Sequence, residues 1–153
     1  MSQRHSVRSL RGAWSSLPVP KLAELEGDLE AGFVRPLTRV APLGLGLIGL
    51  PRWFGKRLTA DDDRLRGINL VRARGTDGLH ERLPMTGERS TSLIDGLPAV
   101  AITYSADAPR PWRWVRDEVR RLPDGTYVGM TIVDLPGIRR LGGLPFLLTA
   151  TRT

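Results

Sequence analysis

From Arg66 onward, apolar and polar positions alternate in short runs separated by turn residues, the pattern of half-buried strands. Residues 67–73 form the first run, and Thr76-Asp77-Gly78 follows as a turn of the hairpin type. Residues 79–86 and 88–93 come next, with Gly87 breaking the two apart. Asp95-Gly96 precedes 97–104, where Val100, Ile102 and Tyr104 alternate with smaller residues. Residues 112–122 and 126–134 flank Pro123-Asp124-Gly125, the clearest hairpin turn in the chain. Gly142-Gly143 leads into a last strand over 144–150. Nearer the start, Pro18-Val19-Pro20 introduces a short helix over 21–26 that ends at Gly27, and 28–34 open the first strand. Short strands with regular turn signals predict a mainly β fold. The expected form is a small antiparallel barrel with a short N-terminal helix, because closure removes exposed sheet edges. An open α+β sheet is the alternative.

The most apolar stretch, 41–51, interrupts this pattern. A bilayer span needs roughly 20 apolar residues, and this run is about half as long and closed by Pro51. It is expected to cap the core, to act as a lid over a ligand, or to touch a membrane surface. Residues 1–9 read as a flexible basic arm, and 10–153 as a single barrel-like domain.

Composition narrows the chemistry. The 153 residues contain no cysteine, which removes disulfides, thiolate metal sites and cysteine nucleophiles together. The N-terminus is polar and basic without an apolar stretch, so a cytoplasmic address is expected. The net charge of +7 is almost all arginine, with Lys21 and Lys56 the only lysines. Acids are interleaved with the arginines, as in 116–121, and no polybasic block exists, so nucleic acid is not the expected partner. A small hydrophobic ligand is expected, with peripheral membrane contact as a further option; oligomeric state is left open.

The usual catalytic constellations are absent. His5 and His80 are the only histidines, so no histidine-rich metal centre can form, and no serine sits in a nucleophile elbow. Asp61-Asp62-Asp63 lacks the alternate spacing of a calcium loop and reads as a solvated turn. Gly44, Gly46 and Gly49 have dinucleotide-loop spacing, but Leu50-Pro51 follows where a helix should begin. No metal and no cofactor is expected.

Segment 109–122 carries the remaining signal. As a strand it places Val115, Asp117 and Val119 on one face, and Trp112, Trp114, Arg116, Glu118 and Arg120 on the other. Each face mixes apolar and ionised groups. One outcome is a ladder of ion pairs across the hairpin on the solvent side. The other is an apolar pocket walled by Trp112, Trp114 and Tyr127, with Asp117, Glu118 or Arg120 as its polar contacts. An arginine suits a ligand carboxylate through its planar fork, and a desolvated carboxyl is a potential general acid or base. Trp53 and Arg57, with Lys56, are placed at the entrance, or Trp53 plugs the barrel's end. The candidate ligand-binding set is therefore Trp53, Arg57, Tyr104, Trp112, Trp114, Arg120 and Tyr127, and the candidate acid/base residues are Asp117 and Glu118.

Gly12-Ala13-Trp14 resembles the Gly-x-Trp element of lipocalin-like barrels, in which the Trp closes the barrel floor beneath a basic residue, here Arg152. This element, Trp53-Phe-Gly-Lys-Arg57, Val100-Ala-Ile-Thr-Tyr104, the stretch 117–130 and Pro145-Phe-Leu-Leu148 occur in an order similar to that of the small GXWXG-domain family. The resemblance implies a compact β-rich body that holds a small molecule. Three functions follow as expectations: binding a small hydrophobic molecule with a polar or acidic end; a cofactor-independent isomerase, cyclase or hydrolase-like reaction on a carboxylate in the same cavity; or docking to a membrane or partner.

Overall fold

In the computed structural model, which describes residues 5–151 save 39, 48, 76–77 and 140–141, turn chemistry sets the topology. The β-strands are β1 (Gly27–Phe33), β2 (Trp53–Asp61), β3 (Arg64–Arg72), β4 (Leu79–Thr91), β5 (Pro98–Tyr104), β6 (Val115–Arg121), β7 (Tyr127–Val133) and β8 (Leu144–Ala150). Each pairs antiparallel with the next, and β1 pairs with β8, so the eight strands form a closed barrel. The open α+β alternative is thereby replaced. Of the three acids 61–63, Asp61 ends β2 and Asp62 and Asp63 form the β2–β3 turn, with Asp62 at φ 43°. Pro123-Asp124-Gly125 reverses β6 into β7, with Gly125 at φ +87°, where only glycine is unstrained. Residues 76 and 77 of the expected β3–β4 turn lie outside the described residues.

Two strand boundaries differ from expectation. Gly87 does not break the chain: β4 runs through it, and its lack of a side chain makes room for Leu65 and Ile102 inside the barrel. The irregularity lies instead at Leu83, with φ 58°, opposite a register shift between Ile68 and Asn69. Trp112–Trp114 is a 3-10 turn after Pro111, and the strand begins only at Val115.

The interior holds one apolar cluster that includes Leu29, Leu58, Leu65, Val100, Val119 and Leu148. One end of the barrel is closed by a 3-10 turn over Leu22–Leu25, which is where the sequence places its short helix; Leu25 is wholly buried in the cluster. The other end is covered by α2 (Val40–Leu47), formed by the apolar run, with Leu45 packed against the same cluster. Among the described residues no helix is long and apolar enough to cross a membrane. Backbone approach is tightest at Gly55 in β2, where a Cβ atom would lie 1.8 Å from the Leu29 carbonyl oxygen of β1.

Of the expected flexible arm, 1–9, residues 1–4 lie outside the described residues and the chain is helical from Val7. Ser6 caps α1 (Val7–Ala13) through a reciprocal bond with Ser9, and the chain continues into a 3-10 turn over Trp14–Ser16. This segment does not close the floor. Leu10 and Trp14 pack with Val34, Ala99, Leu122, Val128 and Met130, positions out of phase with the inward-facing ones, so they lie on the barrel's outer wall. Arg152, expected over the indole, lies outside the described residues. Arg120 occupies that place, its guanidinium 4.3 Å from the Trp14 ring. All five of its N–H donors are used: to Asp95 at 2.6 and 2.9 Å, and to the carbonyls of Trp14, Leu97 and Pro98.

The Arg120 guanidinium holds the Asp95 carboxyl well below the usual carboxylate range. A lowered folded value means that the pair's contribution is complete above the unfolded value of about 3.9 and fades as pH falls beneath it. Asp95→Asn is expected to cost about 2 kcal/mol at neutral pH. Urea unfolding of both proteins, repeated from about pH 7 to about pH 2, will show that difference shrinking only at the acid end.

Candidate functional site

Inside the barrel, two cross-strand pairs place polar groups where the pattern would otherwise be apolar. Lys56 on β2 stands opposite Asn69 on β3, and Asp117 on β6 stands opposite Thr131 on β7. Lys56 shares the phase of Leu58 and Ala60, so its side chain points inward, and it is 1% exposed. Its ammonium donates to Asn69 Oδ1 at 3.1 Å and to Tyr104 Oη at 3.1 Å, and lies 3.2 Å from Asp117 Oδ2. Every ammonium hydrogen therefore has an acceptor. Asn69 Nδ2 donates to Tyr104 Oη at 2.9 Å, and Thr131 Oγ1 donates to Asp117 Oδ1 at 2.9 Å. The Trp53 indole N–H bonds both the Gly55 carbonyl and Asn69 Oδ1.

Burial alone would pull the Lys56 ammonium down; Tyr104 and Asp117 beside it more than offset this, and the net shift is upward. Burial pushes the Tyr104 phenol up, against the opposing pull of Lys56. At neutral pH the cluster is thus a charged lysine and a neutral tyrosine.

Above these groups lies a cavity of about 380 Å³, within the size range of small-molecule sites. Its walls are apolar: Phe33, Leu45, Trp53, Trp112, Val115 and Phe146. Lys56, Tyr104, Asp117 and Thr131 give it a polar side. Edge-on aromatic contacts fix the wall, with Trp53 5.5 Å from Phe146 and Tyr104 5.4 Å from Trp112. Helix α2 roofs the cavity through Val40, Ala41, Gly44 and Leu45, and Val40 and Leu144 stay largely exposed at its mouth.

The structure brings Trp53, Tyr104, Trp112 and Asp117 together at this cavity. It does not bring the other candidates there. Arg57 points outward from β2, paired with Asp28 at 2.8 Å and Glu81 at 3.2 Å. Trp114 lies in the 3-10 turn, flanked by Arg110 and Arg113. Glu118 is fully buried on the opposite face of β6 from Asp117, where it accepts bonds from Ser92 Oγ, the Leu93 N–H and Arg116. Arg120 shares that outer face beneath Trp14. Tyr127 sits at the closed end, beside Glu24. Lys56 lies on the cavity's polar side, not at an entrance, and Asn69 and Thr131 complete a site that the sequence reading did not contain. Among the described residues no group of three His, Asp or Glu side chains could hold a metal.

The fold and cavity define an eight-stranded antiparallel barrel with an internal chamber of ligand size. No family model and no curated protein matches the chain. Among solved structures, it is similar to a protein from Thermomonospora curvata, with a TM-score of 0.66 and 19% identity over 97% of this chain and 90% of that one. The likeness establishes the barrel fold.

Removing one member of the buried pair leaves its partner charged and unmatched. Lys56→Met is expected to cost about 3–5 kcal/mol. Lys56→Met combined with Asp117→Leu is expected to recover more than half of that loss, measured by urea unfolding.

Proposed function

We propose that the protein binds a small, largely apolar molecule in the chamber beneath α2, with the molecule's polar end at Lys56, Tyr104 and Asp117. The observation that carries this reading is the contrast within one cavity: aromatic and aliphatic walls beside a compact, hydrogen-bonded polar cluster. Such a chamber favours apolar surface leaving water and offers few, fixed polar contacts. The exposed Val40 and Leu144 give it an apolar mouth. A closed barrel of eight antiparallel strands suits this reading.

Tryptophan emission reports directly on the site, since Trp53 and Trp112 line it. Titration with 1-octanol is expected to shift and saturate that emission. Val115→Trp places an indole in the chamber and is expected to abolish the titration while cooperative thermal unfolding persists. Saturation undiminished in this variant would show that octanol binds elsewhere.

A second reading rests on the same cluster. Asp117 beside the Tyr104 hydroxyl forms a base and a proton donor that could act on a carbonyl compound without a cofactor. Glu118, on the other face of β6, has no part in it. Solvent deuterium incorporation into the α-carbons of 2-octanone, followed by NMR, is expected to be accelerated by the protein and to revert to the buffer rate in Asp117→Asn.

A further inference from the structure

We propose that the ligand's polar end is uncharged, a hydroxyl or a ketone oxygen, and that Asp117 is the residue that excludes carboxylates. This inference rests on the binding reading above. It follows from how the polar groups of the cavity are already committed.

The only strongly ionised side chains among the described lining residues are Lys56 and Asp117, and they lie 3.2 Å apart. Their charges cancel locally. The ammonium also has no hydrogen to spare, because Asn69, Tyr104 and Asp117 take all three. A carboxylate entering the chamber would meet no free cationic donor. It would instead meet the Asp117 carboxylate between apolar walls, where like charges repel more strongly than in water.

What the site does offer is a matched donor and acceptor. Tyr104 Oη accepts from Lys56 at 3.1 Å and from Asn69 at 2.9 Å, which occupies both of its lone pairs. Its own hydroxyl hydrogen has no acceptor among the described residues, and Tyr104 lines the cavity. Asp117 receives one hydrogen on each oxygen, from Thr131 and from Lys56, and each oxygen keeps a further accepting position. A ligand hydroxyl accepts from Tyr104 and donates to Asp117. A ketone oxygen uses the Tyr104 donor alone. Both leave the Lys56–Asp117 pair intact.

The test compares four probes of equal chain length, 1-octanol, 2-octanone, octanoate and n-octane, by tryptophan emission at about pH 8, where the acid is ionised. The wild-type protein is expected to bind octanol and octanone at least about tenfold more tightly than octanoate, a difference of about 1.4 kcal/mol. Asp117→Asn leaves Lys56 as the one charge facing the chamber and is expected to reverse the order, with octanoate the tightest of the four. Tyr104→Phe removes the donor, together with the acceptor of Lys56 and Asn69, and is expected to lower the affinity for octanone towards that for octane. Wild-type protein that binds octanoate as tightly as octanol overturns the inference. So does an Asp117→Asn variant that keeps the wild-type order. If Asp117→Asn does not fold, the Tyr104→Phe comparison decides, and undiminished preference for octanone over octane then overturns the inference. Absence of binding by all four probes overturns the binding reading itself, a result distinct from any ordering among them.

Discussion

An ammonium taken out of water inside a β-barrel needs an acceptor for each hydrogen and a counter-charge close by, and Lys56 draws these from three other strands. Asn69 comes from β3, Tyr104 from β5 and Asp117 from β6, with Thr131 of β7 steadying the carboxylate. That requirement ties the register of five strands together. A one-residue slip of β6 would turn Asp117 outward and put Glu118 or Arg116 in its place, stranding the ammonium. The cluster also divides the interior. Towards the end closed by Leu25, buried leucines and Tyr127 form the core; towards α2, bulky aromatics stand around an open chamber.

Most of the strands and turns and the barrel class were legible because they depend on local alternation and on glycine, proline and aspartate in turns; β2 is not among the strands that the sequence predicts. The β6 segment was harder. Alternation identifies a buried face only when the other face is wet, and here the Trp14 turn and the 92–97 loop cover the outer face of β6. Both faces of β6 are consequently dry, with Asp117 inside and Glu118 and Arg120 outside, each held by its own partners. The 3-10 turn at 112–114 also resets the phase, so Trp112 reaches the chamber although a continuous strand would place it opposite Asp117.

From the sequence, Lys56 is only an entrance residue beside Trp53 and Arg57. Its phase with Leu58 and Ala60 marks it as inward, but the irregular pairing between Trp53 and Gly55 hides that phase from the residues before it. Asn69 and Thr131 left no trace of their role in the sequence. Each matters through the residue opposite it on the next strand, and that identity is known only once register is known. Arg57 and Arg120 carry the charge a ligand site invites, yet both are satisfied by acids of this chain.

The contact between Trp14 and Arg120 joins residues 106 positions apart, and barrel closure pairs Leu29 with Ala150. The first cannot form until β6 has been made, nor the second until β8 has. Helix α1 therefore finds its seat on the barrel wall only after β6 and β7 have been made. Contacts of such long sequence separation make for slow folding.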